Sequence, residues 1–255
     1  MVKEDDIRSQ NELILSKLDS IEKLLVRHLN LNYCPICNDF FEFLDFGHPP
    51  RSNVQCPICN SLERMRFTFL FIQSHLKDKF SKDNIKLLHF APEKIFYDLF
   101  SKKSNIDYYP VDFDPERYER QGINIRKKVD MMDIPWGDKT FDVIYNSHVL
   151  EHVPDDIHGM SELYRVLKDD GVCITLAPVF KMENTLEKEE YNTPELRLKY
   201  YGQDDHLRKY GLDFKDRLES VGFKVDVINS SDILSDSDKK LYAINDFDEI
   251  YLCTK

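Results

Sequence analysis

From residue 85 onward the apolar positions fall into short runs separated by amphipathic stretches, a pattern that alternates strand and helix. IKLLHF, starting at Ile85, reads as a buried strand. PEKIFYDLFSKK opens on Pro92, a residue favoured in a first helical turn, and reads as the helix that follows. DYYPVDFD is a second strand, Ile125–Val129 a short third, and FDVIYNS, from Phe141 to Ser147, a fourth. Asp155–Leu167 reads as a helix that turns Leu163, Val166 and Leu167 inward, with Lys168–Gly171 as the glycine turn ending it. VCITLAPVF is a fifth strand, Asp213–Val221 a helix closed by Gly222, FKVDVI a sixth strand and DEIYLCTK the last. This alternation predicts an α/β fold, a mainly parallel sheet with helices on both faces. The last two strands, with no evident helix between them, predict one antiparallel edge partner. Residues 181–205 are charged, with Tyr191, Tyr200 and Tyr201 interspersed, and read as an insertion over the sheet top, a candidate substrate lid. Ser230–Lys240 reads as a solvated loop.

The N-terminal third follows other periods. Ile7, Ile14, Leu18, Ile21 and Leu25 lie close to a heptad seam, interrupted by Asn11 and His28. They predict a helix over 7–29, which either packs on its own chain or pairs two copies as a short coiled-coil homodimer. Between Ser61 and Phe80, Leu62, Met65, Phe69, Ile72 and Leu76 recur at helical spacing, so a connecting helix is expected, with Ser61 placed to cap it. The expected organisation is an N-terminal helix (1–30), a cysteine module (31–62) and a large α/β domain (63–255).

Four of the six cysteines fall as Cys34-Pro-Ile-Cys37 and Cys56-Pro-Ile-Cys59, with 18 residues between the pairs. That spacing matches a structural zinc ribbon. Each CxxC turn aims two thiolates at one ion, and four thiolates complete a tetrahedral shell with no position left for water. About thirty residues with few aliphatics also need such a staple, because they cannot build a core alone. Nothing suggests the oxidising compartment a disulfide pairing requires. Cys173 and Cys253 stand in apolar runs and read as small core residues.

Charge narrows the class of partner. The chain carries a net charge of -11, which disfavours a polyanionic partner such as nucleic acid. No basic half is hidden: residues 1–80 hold 10 Lys+Arg against 11 Asp+Glu, and 81–255 hold 25 against 35. No apolar run approaches the ~20 residues of a membrane span. The acidic start, MVKEDDIRSQ, lacks the apolar core of a signal peptide, so a cytoplasmic location is expected.

The richest chemistry lies in FDVIYNSHVLEHV, Phe141–Val153. A buried apolar run breaks into Asn146, Ser147 and His148, then Glu151 and His152. In an open α/β sheet, polar residues at a strand's carboxyl end face the ligand crevice. This segment resembles the fourth-strand region of class I S-adenosylmethionine-dependent methyltransferases. Three further stretches resemble one subgroup of that type 11-like family, often encoded with bacterial capsule and O-antigen genes. They are LHFAPE (Leu88–Glu93), the CPICxSLERxR-like Cys56–Arg66 and the DHxRxYGxDFxxRLxxxGF-like Asp205–Phe223. The resemblance covers roughly residues 34–255 and implies a Rossmann-like seven-stranded sheet, mostly parallel with one antiparallel strand.

It also implies roles. His89, Phe90, Ala91 and Glu93 replace the usual glycine-rich loop, and no GxGxxG occurs in the chain. A sulfonium and an ammonium want carbonyls and carboxylates nearby, which Glu93 would offer. Asp112, ending the second strand, would accept the ribose hydroxyls, with Asp114 a weaker competitor. Asp130, with Asp133 the runner-up, would accept the adenine amino hydrogen. Met131 would offer its amide and its side chain to the ring, and Asn146 and Ser147 would line the methionyl part.

Methyl transfer needs alignment, and a base only where the acceptor holds a proton. His152 ahead of His148 is the candidate base, its ordinary pKa suiting cellular pH, with Glu151 orienting an imidazole or touching a ligand. A second cluster holds His206, Arg208 and Tyr210. It reads either as an ordinary helix start or as a binder of an anionic or sugar-phosphate acceptor, since guanidinium grips oxyanions bidentately. The resemblance implies a methyltransferase for a small carbohydrate or phosphorylated precursor of surface polysaccharide. The rivals are an RNA methyltransferase using its zinc module for recognition, and a non-catalytic cofactor-binding scaffold.

Overall fold

Four short strands open the structure, a computed structural model that describes residues 11–17 and 31–255. They are β1 (Asn32–Cys34), β2 (Asp39–Phe41), β3 (Leu44–Phe46) and β4 (Arg51–Gln55), paired antiparallel as β1–β2 and β3–β4. The described residues up to Leu70 form one compact unit together with Leu234–Asn245, and Phe71–Ile233 with Asp246–Lys255 form a second. The cysteine unit therefore recruits a distant segment that was expected to be a solvated loop. That segment carries the helix Asp236–Leu241, started by a Ser235–Asp238 capping box. Residues 11–17 are helical and exposed, Ile14 included. The rest of the expected heptad seam, and with it the dimer expectation, lies outside the described residues.

The first unit buries little apolar surface, centred on Cys34, Phe43 and Cys56. A buried arginine holds it together. Arg66, on the helix Glu63–His75, donates Nε to the Tyr242 carbonyl, Nη1 to the Ser61 carbonyl, and Nη2 to the carbonyls of Val54 and Ala243. Its guanidinium lies 4.6 Å from the Phe43 ring centroid. An unsatisfied charge in this place would cost several kcal/mol, and this one is satisfied on every side. Ser61 proves not to cap the helix: its carbonyl also accepts from Cys56 N, and its hydroxyl faces sulfur.

In the second unit β5 (Ile85–Phe90), β6 (Ile106–Asp112), β7 (Lys127–Lys128), β8 (Phe141–Ser147), β9 (Leu167–Leu176), β10 (Lys224–Asn229) and β11 (Glu249–Thr254) form one sheet. The order is β10-β11-β9-β8-β5-β6-β7. All neighbours are parallel except those of β11, which runs antiparallel to both β9 and β10. The antiparallel strand is thus inserted one place in from the edge, and the edge strand β10 pairs antiparallel with it. The chain leaves β5 toward β6 and β7, then returns to β8 on the other side of β5. That reversal opens a crevice at the carboxyl ends of the strands.

Apolar side chains of β5, β6, β8 and β9, such as Leu88, Val111, Ile144 and Cys173, pack against Met160, Leu163 and Val166 of the helix Asp156–Val166. Phe214 and Leu218 of the helix Phe214–Ser220 join the same core. Cys173 and Cys253 are register partners in it, and burial pushes the Cys173 thiol up to about 12. The expected glycine turn after Leu167 is instead a bulge within β9: Phe141 pairs with Leu167, but Val143 already pairs with Val172. A Cβ on Gly171 would stand 2.7 Å from Leu167 Cδ1, so the bulge closes only around glycine.

Candidate functional site

The carboxyl tips of β5, β6 and β8 line a cleft of about 590 Å³. Phe90 and Ala91 come from the first tip, Asp112 and Phe113 from the second, His148 from just beyond the third. Asp130 and Met131 enter from the turn after β7, His152 from the short 3-10 turn Leu150–His152, and Asp205 from the segment after the helix Pro194–Tyr201. Asp112 is held rigidly, its Oδ1 accepting from Asp114 N at 2.8 Å and its Oδ2 from the Tyr118 hydroxyl at 2.8 Å. Asp130 Oδ1 accepts from Met132 N at 2.9 Å, which shapes the turn that carries Met131.

Two residues at these tips have left-handed backbones without being glycine: Ala91 at φ 48° and His148 at φ 55°. Such a conformation costs an L-residue roughly 1–2 kcal/mol, and strain of this kind gathers at functional sites. Ala91 N donates to the Val111 carbonyl and His148 N to the Leu176 carbonyl, which pins both turns. Ala91 thus makes the sharp turn for which a glycine loop is ordinarily used.

Other sequence-derived candidates sit behind the cleft. His89 is fully buried, its Nδ1 2.8 Å from the Tyr108 hydroxyl and its Nε2 3.7 Å from Glu93 Oε2, and burial keeps it neutral by lowering its pKa. Asn146 is buried at the end of β8, where Nδ2 donates to Thr175 Oγ1 and Oδ1 finds no partner. The Ser147 hydroxyl beside it is likewise buried without a partner.

Glu151 lies at the centre of an imidazole cluster. Its side chain is fully buried, His148 Nδ1 stands 3.2 Å from Oε1, and the rings of His152 and His206 meet edge to face at 4.8 Å. Burial pushes the Glu151 carboxyl up, but the hydrogen-bonding and charge of His148 outweigh it and the net shift is downward. Burial lowers the pKa of His206. His152 Nδ1 lies 3.4 Å from Asp205 Oδ2, a pairing that orients the ring.

Arg208 and Tyr210 are corrected by the structure. Residues 206–210 run extended, with His206, Arg208 and Tyr210 buried and Leu207 and Lys209 half-buried between them, a period of two where a helix start had been one reading. Arg208 donates to the carbonyls of Leu150, Val153 and Pro154 and pairs with Glu187 at 2.7 Å. The Tyr210 hydroxyl donates to Asp156, which also accepts from Arg217. Neither residue offers a group to an acceptor. Arg208 fastens the His206 segment to the Leu150–His152 turn, and Tyr210 fastens it to the start of the helix Asp156–Val166. Phe113, Arg117 and Met132 line the cleft without having been singled out. Phe113, 63% exposed between two aspartates, carried the readable signal, an aromatic with no core to join at a strand tip.

The cysteine unit presents a separate constellation. One sulfur from each of Cys34, Cys37, Cys56 and Cys59 lies within 4.8 Å of all the others. Cys34 and Cys59 are 3.6 Å apart, Cys37 and Cys56 3.9 Å. Four sulfurs at zinc's usual ~2.3 Å from one centre would be about 3.8 Å apart, so the set fits a tetrahedral ion and lies far outside disulfide contact. Each CPIC turn ends in an asparagine at φ 58°, Asn38 and Asn60, whose amides close back on Cys34 and Cys56. The hydrogen bond from Cys59 pulls Cys34 down to about 4, while loss of hydration pushes Cys37 up to about 12. Four sulfurs so close cannot all be thiolates without a cation.

The family model described as "Methyltransferase domain" matches residues 94–175, a span that contains Asp112, Asp130, His148 and His152. A search of curated proteins found no match. Among solved structures, the chain is similar to a SAM dependent methyltransferase from Archaeoglobus fulgidus, at 17% identity over 74% of this chain and 94% of that one, with a TM-score of 0.48. A SAM dependent methyltransferase from Aquifex aeolicus is similar at 17% identity over 76% of this chain and 98% of that one, with a TM-score of 0.45.

Proposed function

We propose that this chain, whose residues 94–175 match a methyltransferase-domain model and whose sheet has the Rossmann-like strand order, is an S-adenosylmethionine-dependent methyltransferase that methylates a hydroxyl of a small carbohydrate or sugar-nucleotide, and that its four clustered cysteines hold a structural zinc. The observation that carries the reading is the meeting of Asp112 and Asp130 with His148 and His152 in one cleft. When bound, S-adenosylmethionine supplies a methyl carbon activated by a positive sulfur. The cleft residues suit it. Asp112 keeps carboxylate lone pairs for ribose hydroxyls, and Asp130 and Met131 stand where adenine would lie. The unpartnered Asn146 Oδ1 and Ser147 Oγ behind the β8 tip are acceptors waiting for N–H donors such as the methionyl ammonium. His148 and His152, both partly exposed in the cleft, are placed to relieve an acceptor hydroxyl of its proton.

A neutral hydroxyl acceptor gains over an anionic one because Arg208, the expected oxyanion binder, is spent on backbone carbonyls and Glu187. The RNA alternative is disfavoured by the net charge of -11. The link to surface polysaccharide rests on the motif resemblance, and a lid role for residues 181–205 rests on their charged, tyrosine-bearing sequence.

Calorimetry with S-adenosylmethionine and its demethylated product tests the reading. Both should bind, and Asp112→Ala should weaken both by about 1.5–3 kcal/mol, the worth of a charged hydrogen bond. Absence of binding to either would end the methyltransferase reading. A screen of sugar nucleotides with labelled cofactor then names the acceptor by the mass of its product.

A further inference from the structure

We propose that Glu151, His152 and His206 form a second metal site, for a divalent transition-metal ion, in the wall of the cleft. Each offers one donor atom, and the three atoms lie within 4.8 Å of one another. The Glu151 side chain is fully buried, and neither of its oxygens accepts a well-aligned hydrogen bond. The His148 imidazole offsets the loss of hydration on the Oε1 side, and a bound cation would supply the partner that Oε2 lacks. The surroundings already have the form of a metal site's outer layer. His152 Nδ1 faces Asp205 Oδ2 at 3.4 Å, and His148 Nδ1 stands 3.2 Å from Glu151 Oε1. Carboxylate–imidazole pairs of this kind orient metal-bound histidines.

The scaffold is rigid where the site needs it. Leu207 N donates to the Glu151 carbonyl at 2.8 Å, and Arg208 ties the same strand to the carbonyls of Leu150 and Pro154. Two imidazoles and one carboxylate suit zinc, iron(II), cobalt(II) or manganese(II) better than magnesium or calcium, and leave coordination positions open. His152 lines the cleft, so an ion held here borders the acceptor. Its part in catalysis rests on the methyltransferase reading: it would bind the acceptor hydroxyl, and with His152 engaged as a ligand the proton would pass to solvent and not to that ring. Its existence is a separate matter, settled by binding alone.

The test compares metal stoichiometry in the full chain. Resident metal is counted by elemental analysis, and manganese(II), which four thiolates bind poorly, is titrated in and followed by its paramagnetic resonance. Resident plus added metal should exceed by about one equivalent per chain that of Glu151→Gln and of His206→Ala. His148→Ala should keep the site but weaken it roughly 10- to 100-fold. Equal stoichiometry in the wild type and both ligand variants overturns the proposal. If circular dichroism shows Glu151→Gln to be unfolded, the half-exposed His152→Ala decides in its place. Calorimetry of the same proteins with S-adenosylmethionine reports on the methyltransferase reading independently, so the two can fail separately.

Discussion

The two units of this chain reach a folded state by opposite means. The sheet unit buries apolar layers on both faces of β5, β8 and β9 and leaves its polar residues at the strand tips. The cysteine unit has only a small apolar cluster, and at its centre sit four sulfurs, Ser61 and the guanidinium of Arg66. Apolar burial is non-directional, so the first unit tolerates change wherever volume is kept. Hydrogen bonds and coordination are directional, and the second unit depends on a few atoms being in place. A short segment that cannot bury enough surface gains its specificity from polar chemistry instead.

Removing the proposed zinc is the largest blow that can be dealt to this contrast. Structural zinc contributes on the order of 10 kcal/mol or more in small zinc modules. Cys56→Ser, or exhaustive chelation, should therefore abolish hydrogen-exchange protection across residues 31–62 while β5, β8 and β9 keep theirs. Persistent protection in a protein verified to be metal-free would mean that the cysteine unit stands on packing after all. Arg66→Met comes next. It preserves volume but strips partners from the carbonyls of Val54, Tyr242 and Ala243, and should cost about 3–5 kcal/mol. The loss should register as faster exchange in the cysteine unit, and a shift shared equally by both units would blur the contrast. Leu163→Ala sharpens it from the other side. Leu163 is fully buried in the sheet core, and its truncation should lower stability by about 2–5 kcal/mol, read as a lower urea midpoint of the sheet's transition.

The contrast also governs what could be read from the linear chain. Strand and helix alternation from Ile85 to Lys255 was legible because buried strands and amphipathic helices leave local periods. The Cys34–Cys37 and Cys56–Cys59 pairs were legible because the spacing itself encodes the chemistry. Inside the polar segments the period was ambiguous. The cluster from Gln203 to Tyr210 was open to a helical reading or to a row of ligand binders. Its extended course instead buries His206, Arg208 and Tyr210 and turns Asp205 to the cleft. The bulge at Lys168–Gly171 deceived for a related reason: a glycine after a helix signals a cap, and only the pairing of Phe141 with Leu167 shows it to lie within a strand.

The amino-acid order alone determined the kind of fold, the two cysteine pairs and the acidic and imidazole residues that belong at the strand tips, because each follows from neighbours a few positions apart. Tertiary structure decided which of these meet. It placed Asp112 and Asp130 in one cleft, made Ala91 serve as the tight turn, sent Asp236–Leu241 back to the cysteine unit and spent Arg208 on holding His206 beside Glu151. Those outcomes depend on strand order and on the phase of extended segments, which are set by contacts between residues far apart in the chain.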